Sequence, residues 1–502
     1  MFKDTFTAKE LSKLLFLAAV VSVVGIWSIV NTTMITRDGV FWIERASTVA
    51  RLSKMESPGL PFMISHWHRL LGYFGLGDGN LGWAMAGQTM SLLCRILSLV
   101  PLYYLGKLLV GKRHAFWAVL ILIFLPWPAE WGHDALREWP HLLFLSGGLL
   151  MVLLAFTYQR IIFFLPAGLL AGVGHTIRPE CAQVVIYALF GLIFIVMHPH
   201  ELMSRKKAVW GVLLLVLGFG TIFAPCIQMR GDILPVKLRQ FLTTGNATSV
   251  SVAPSAAYNT TGTQHAGFLP TSIEGVINLT QTLSENLYYY FFPFMLVGLY
   301  VFFREPQKKP FNRWFIAGFI VLNFLMYTAL YYRWGYISRR HLLPLTAMTI
   351  FFVPLGIEIV AGLFSRQKTD SGNPMNKKKQ AIIFLGLIVV GILACLPKLA
   401  EPMGNIEFRK TAEYLKQNTP LDAIIAEPDR RIAFYAERKR VLYKTQPVKG
   451  RWDYLIVVEE YSETKSPEQA TPLLTKIYSC PLSKSDRYRQ EVVVYRRNKG
   501  TE

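Results

Sequence analysis

Apolar residues in this chain come in long blocks, the first running from Leu14 to Met34 and the last from Ile382 to Leu396, with the charges gathered in the connections between them. A bilayer core asks for roughly 20 apolar residues per helical span. Blocks of this length and number therefore point to a polytopic α-helical membrane protein. Hydrophobic residues are 52% of the 502 and mean hydropathy is +0.33, more than one soluble core of this size needs. The five cysteines are scattered and imply neither a disulfide framework nor a zinc site.

The net charge of +21 orients the helices. Lys112-Arg113, Arg205-Lys206-Lys207, Lys308-Lys309 with Arg313, and Arg366 with Lys377-Lys378-Lys379 fall in short connections, and Lys3, Lys9 and Lys13 precede the first block. The positive-inside rule puts all of them in the cytoplasm. One topology satisfies every cluster, with about eleven spans, the N-terminus cytoplasmic and the C-terminus outside. The expected spans are 14–34, 83–109, 116–131, 139–156, 161–174, 182–197, 209–227, 288–303, 314–331, 342–364 and 382–396. The first is read as a retained helix, because no small-residue cleavage site follows it. External loops are then 35–80, 131–138, 175–180, 231–286 and 332–341. The chain divides into a transmembrane domain, 1–398, and an extracytoplasmic α/β domain, 399–502. In the latter, 423–426, 454–458 and 492–495 read as buried strands and Glu407–Asn418 as a helix.

The loop after the first span begins Ile35-Thr36-Arg37-Asp38-Gly39-Val40. Val40, Ile43, Val49 and Leu52 fall on one side at helical spacing, which predicts an amphipathic helix lying along the membrane surface. A carboxylate at that depth is costly to desolvate, so Asp38 is a functional candidate, against the alternative that it only caps the helix. Other external helix ends carry Glu130, His133, Asp134, Arg137 and Glu138, then His175, Arg178 and Glu180, then Arg333, Arg339, Arg340 and His341. Arginines outside oppose the positive-inside bias, and a lipid-anchored phosphate is one ligand that would hold them there. Blander readings stand beside these. Asp134 and Glu138 with Arg137 suit a structural ion-pair cluster, Arg178 and Glu180 suit each other, and Arg339 and Arg340 suit ordinary headgroups. His66 and His68 read as surface residues rather than metal ligands.

Taken in order, Arg37-Asp38-Gly39-Val40, Ser57-Pro58-Gly59-Leu60-Pro61, Gly111-Lys112-Arg113, His133-Asp134 through Glu138, Thr176-Ile177-Arg178-Pro179-Glu180 and Ser338-Arg339-Arg340-His341-Leu342-Leu343-Pro344 resemble the GT-C superfamily of integral-membrane glycosyltransferases. The likeness is to the bacterial branch related to dolichyl-phosphate-mannose protein mannosyltransferases and the lipid A aminoarabinose transferase. The resemblance implies transfer of a monosaccharide from a polyprenyl-phosphate donor to an acceptor hydroxyl outside the cytoplasm, at the cytoplasmic (inner) membrane. It maps the catalytic carboxylate onto Asp38 and a second acidic position onto Asp134 or Glu138. Donor-phosphate contacts map onto Arg339, Arg340 and Arg178, with Glu44, His133, Glu180 and Arg333 as supporting candidates.

Gly39 follows Asp38 where the protein mannosyltransferases carry Asp-Glu, so a protein acceptor is not assumed, and lipid, glycan and protein acceptors all stay open. No Asp-x-Asp is present, so no cofactor is expected and a divalent metal is left open. Expected partners are the lipid-linked donor, the acceptor and membrane lipids, and no nucleic acid. The alternatives are a lipid-linked glycan flippase or assembly protein, and a glycan ligase or polymerase. Charges gathered at one membrane face favour the transferase over a transporter, whose polar groups sit near mid-membrane.

Overall fold

A computed structural model describes residues 7–48, 57–197, 203–231, 272–305, 310–365, 377–401, 404–443, 448, 450–460, 474–482 and 490–498. The membrane part comprises α1 (Ala8–Val30), α2 (Arg37–Ser47), α3 (Gly59–Gly72), α4 (Gly79–Val110), α5 (Lys112–Phe124), α6 (Pro126–Trp131), α7 (Glu138–Tyr158), α8 (Phe164–Ile177) and α9 (Gln183–Met197). It continues with α10 (Arg205–Arg230), α11 (Ser272–Asn286), α12 (Phe291–Arg304), α13 (Pro310–Trp334), α14 (Leu343–Thr349), α15 (Phe352–Ser365) and α16 (Lys377–Ala400).

Every expected apolar stretch is largely helical, and among the described residues length and composition pass six helices as spans, or eight if each bent pair counts as one. The expected count of about eleven is not confirmed, and several of the expected spans are broken, short or bent. The stretch 116–131 breaks ahead of Pro126, which cannot donate to the helix ladder, into α5 and α6. The stretches 161–174 and 182–197 form short helices. The α11–α12 and α14–α15 pairs bend by 109° and 56°. Fully buried Arg95 on α4 serves this architecture. Its Nη2 donates to the Ile123 carbonyl at 2.6 Å, one turn before the proline break, and its guanidinium lies 5.3 Å from the Trp139 ring centroid. The tightest helix crossing is made by glycines. A Cβ on Gly298 or Gly356 would stand 1.9 Å from a carbonyl oxygen of the facing helix, so α12 and α15 meet backbone to backbone.

At one membrane surface, Glu10 at the start of α1 pairs with Lys107 at the end of α4, and Glu358 takes Arg113 and His114. The opposite surface carries the external segment 35–80, whose described residues hold α2, the amphipathic helix expected there, and α3. Val49 and Leu52 lie outside the described residues. Helix α16 runs through Pro397 to Ala400, past the expected boundary at 398.

The small C-terminal domain is α/β, with α17 (Ile406–Asn418), β1 (Ile424–Glu427), α18 (Arg431–Ala436), β2 (Lys439–Leu442), β3 (Tyr454–Glu460), β4 (Leu474–Pro481) and β5 (Gln490–Arg497). Its sheet has the order β2-β1-β3-β5-β4, parallel across β2, β1 and β3 and antiparallel across β3, β5 and β4. Its core is continuous with the membrane part. Phe408, Ile432 and Phe434 share one apolar cluster with Met34, Val40 and Ile43, so α2 is packed from both sides.

Candidate active site

Helix α2 starts where it does because Thr36 caps it, its Oγ1 accepting the Gly39 N–H at 3.1 Å. The cap is therefore Thr36, and Asp38 sits two residues inside it, in the first turn, where the helix dipole favours a carboxylate. The entering chain is fixed by two further groups. Tyr435 of the C-terminal domain accepts the Ile35 N–H at 3.0 Å, and Asp134 accepts the Thr36 N–H at 3.3 Å and the Ala135 N–H at 2.8 Å. Asp134 is fully buried, and burial raises its carboxyl to about 6 against the hydrogen bonds that lower it. A Cβ at residue 39 would stand 2.8 Å from Asp134 Oδ1, so this close approach requires Gly39. Asp134 thus holds the turn that presents Asp38.

The presented carboxylate meets a guanidinium from the other half of the chain. Asp38 Oδ2 lies 2.5 Å from Arg340 Nη2, with the two side chains 47% and 32% exposed. Arg340 stands on the 3₁₀ turn Arg339–Leu342 and is also within electrostatic reach of Glu138 and Arg178. Behind it, buried Arg178 is held between Glu138 at 3.3 Å and Glu180 at 3.4 Å. Arg137 stacks on Trp42 at 4.6 Å from the ring centroid. Two members of this group lie in apolar segments and were not singled out from the sequence: His141, one turn beyond Glu138, and Tyr327, whose hydroxyl donates to the His341 carbonyl at 2.6 Å. An ionisable residue inside an apolar helix was the available signal for His141. Unpartnered atoms on Glu138, His141 and Arg178 mark the cluster as polar and incompletely satisfied.

Other sequence candidates stand elsewhere. Arg339 turns away from Asp38 to pair with Glu285 and lies 4.3 Å from the Trp127 ring centroid. Glu44 pairs with Arg440 and, at 3.6 Å, with Arg430, both from the C-terminal domain. His133 bonds the Ala129 carbonyl at 2.9 Å, and burial lowers it to about 4, so it is neutral there. His66 bonds the Phe62 carbonyl, and His68 bonds that of Gly77 and stacks on Trp83. The Arg333 side chain lies outside the described residues. Among the described residues no three His, Cys, Asp or Glu side chains converge as a metal site would require.

A family model described as dolichyl-phosphate-mannose-protein mannosyltransferase matches residues 56–227. That stretch includes Asp134, Glu138, Arg178 and Glu180 but neither Asp38 nor Arg340. No curated protein matches the chain by sequence. Among solved structures, ArnT from Cupriavidus metallidurans bound to undecaprenyl phosphate is 12% identical, with a TM-score of 0.57 over 97% of this chain and 98% of that one. The oligosaccharyltransferase of Archaeoglobus fulgidus in the apo form is 12% identical, with a TM-score of 0.60 over 89% of this chain and 69% of that one. The same archaeal enzyme, AglB, has been solved with an inhibitory peptide and a dolichol-phosphate. The GT-C resemblance drawn from the sequence is borne out in the fold, and the chain is an integral membrane protein.

Proposed function

We propose that this protein transfers a hexose or pentose from a polyprenyl-phosphate donor to an acceptor hydroxyl on the outer face of the cytoplasmic membrane. The observation that carries the reading is the Asp38–Arg340 contact at a membrane surface, in a fold shared with a protein that binds undecaprenyl phosphate. Basic connectors at the opposite surface support a cytoplasmic N-terminus and an extracytoplasmic C-terminal domain.

In the reaction, the acceptor oxygen attacks the anomeric carbon as the carbon–oxygen bond to phosphate breaks. Its proton passes to Asp38, and a single displacement inverts the anomeric centre. The donor is a phosphodiester with one negative charge, whereas the departing polyprenyl phosphate gains a second. A guanidinium set against the phosphate therefore binds the transition state more strongly than the ground state. Arg340 supplies it, with Arg178 behind. While Asp38 is paired with Arg340 its oxygen is not free to take a proton. Donor phosphate draws Arg340 away, so donor binding readies the base.

Asp134 acts through Asp38 as a positioning residue. Its ordinary value is 3.8 and its native value about 6, so the native fold keeps a proton that the unfolded chain has lost. Folding stability accordingly falls as pH rises from about 4 to about 6. As pH then rises through about 6 the native carboxylate ionises and grips the Thr36 N–H more firmly, so kcat is expected to rise there. In Asp134→Asn this rise is expected to vanish while donor KM is unchanged; a pH–rate profile identical to that of the wild type would remove Asp134 from the role.

Purified protein incubated with polyprenyl-phosphate sugar and envelope acceptor fractions is expected to release polyprenyl phosphate. A ligase would require a lipid diphosphate glycan, and a flippase would release nothing.

A further inference from the structure

A concave site lies along α2 from Asp38. A cleft of about 330 Å³ opens where the C-terminal domain meets α2 and α4, at the small end of the roughly 300–1,000 Å³ range of small-molecule sites. Glu44, which lines it, is six residues beyond Asp38 on the same helix, about 9 Å along the axis at 1.5 Å per residue.

We propose that this cleft receives one or two sugar units of the acceptor, which rests on the transferase reading and gives its acceptor a chemical class. A sugar presents flat carbon–hydrogen faces bordered by hydroxyls that both donate and accept. It is recognised by apolar aromatic walls set beside polar groups of both kinds. Trp83 at the start of α4, one ring face of it stacked on His68, provides one wall, and the 6%-exposed edge of Phe434 on α18 provides the other. Asn80 spends its Nδ2 on the Phe434 carbonyl at 2.7 Å, which leaves its Oδ1 as an acceptor. Ser47 donates to the Glu44 carbonyl at 2.9 Å and keeps its lone pairs, while exposed Lys439 supplies donors. The Glu44–Arg440 pair fixes the C-terminal domain against α2, so both walls hold their spacing.

A peptide would be expected instead to extend the sheet at its β2 edge. That strand is four residues long and carries Lys439 and Arg440, features that discourage strand addition. An alkyl chain would find too many polar groups.

The test is binding to the full-length protein without donor. Glycolipid extracted from the envelope of the producing cell, the same glycan freed of lipid, and a Ser/Thr-containing peptide form three arms. Glycan binding to the wild type is expected, weakened at least about tenfold by Ser47→Trp, which fills the cleft, and by Lys439→Ala. Weakening seen with both glycan forms names the free glycan chain as sufficient, and weakening with glycolipid alone names a lipid-anchored acceptor. The proposal is overturned if neither glycan binds, if both variants bind as tightly as the wild type, or if the peptide alone is bound. A wild type that binds glycan but releases no polyprenyl phosphate would sink the transferase reading and leave the saccharide site standing.

Discussion

Asp38→Asn is expected to lower transfer by about 10²–10⁴-fold, the usual contribution of a general base, while the protein folds and still binds donor. Asparagine keeps the size and the place in the first turn of α2 but cannot take the acceptor proton. The cost in stability is expected to be small, under about 1 kcal/mol, because the ion pair it removes is half exposed and screened by water. Affinity for polyprenyl phosphate is expected to rise, since Arg340 no longer has a carboxylate to leave. Single-turnover release of polyprenyl phosphate, measured beside lipid binding in nanodiscs, separates these effects. Activity within about tenfold of the wild type would take Asp38 out of the role of base.

This dissociation of chemistry from donor binding follows from an arrangement only partly legible in the chain. The apolar blocks dictate helices, the basic connectors predict a sidedness, and the strands at 424–427, 454–460 and 490–497 fall where short apolar runs predict them. Asp38 and the arginines at 339 and 340 could be singled out because each is costly where it stands. Other features depend on contacts between distant segments. Glu44 and Arg440 are 396 residues apart, so their pairing has no local signature, and Glu44 passes for a member of the Asp38 site. Asp134 looks like a second catalytic acid by its place in a loop. Only the fold shows its oxygens turned to the backbone of Thr36 and Ala135. The choice between Arg339 and Arg340 is of the same kind. Successive residues on a 3₁₀ turn, three per turn, point about 120° apart, so one faces Asp38 and the other Glu285.

That divergence yields the second large effect. Arg340→Gln is expected to lower kcat/KM for donor by about 10²–10³-fold, comparable to removing one preorganised donor from an oxyanion site. The loss falls on kcat as well as KM, because charge on the leaving phosphate grows during the reaction. Arg340→Lys restores the charge but not the paired geometry of a guanidinium and is expected to recover only part of the loss. Arg339→Gln removes a neighbouring guanidinium engaged with Glu285 and Trp127, and is expected to change kcat/KM by less than about tenfold. The comparison is made on donor titrations of the three variants with polyprenyl-phosphate release as the readout. If Arg339→Gln proved the more damaging, the leaving phosphate would have to sit on the Trp127 side of the turn. Asp38 would then lie on the wrong side of that turn to take the proton from the attacking hydroxyl.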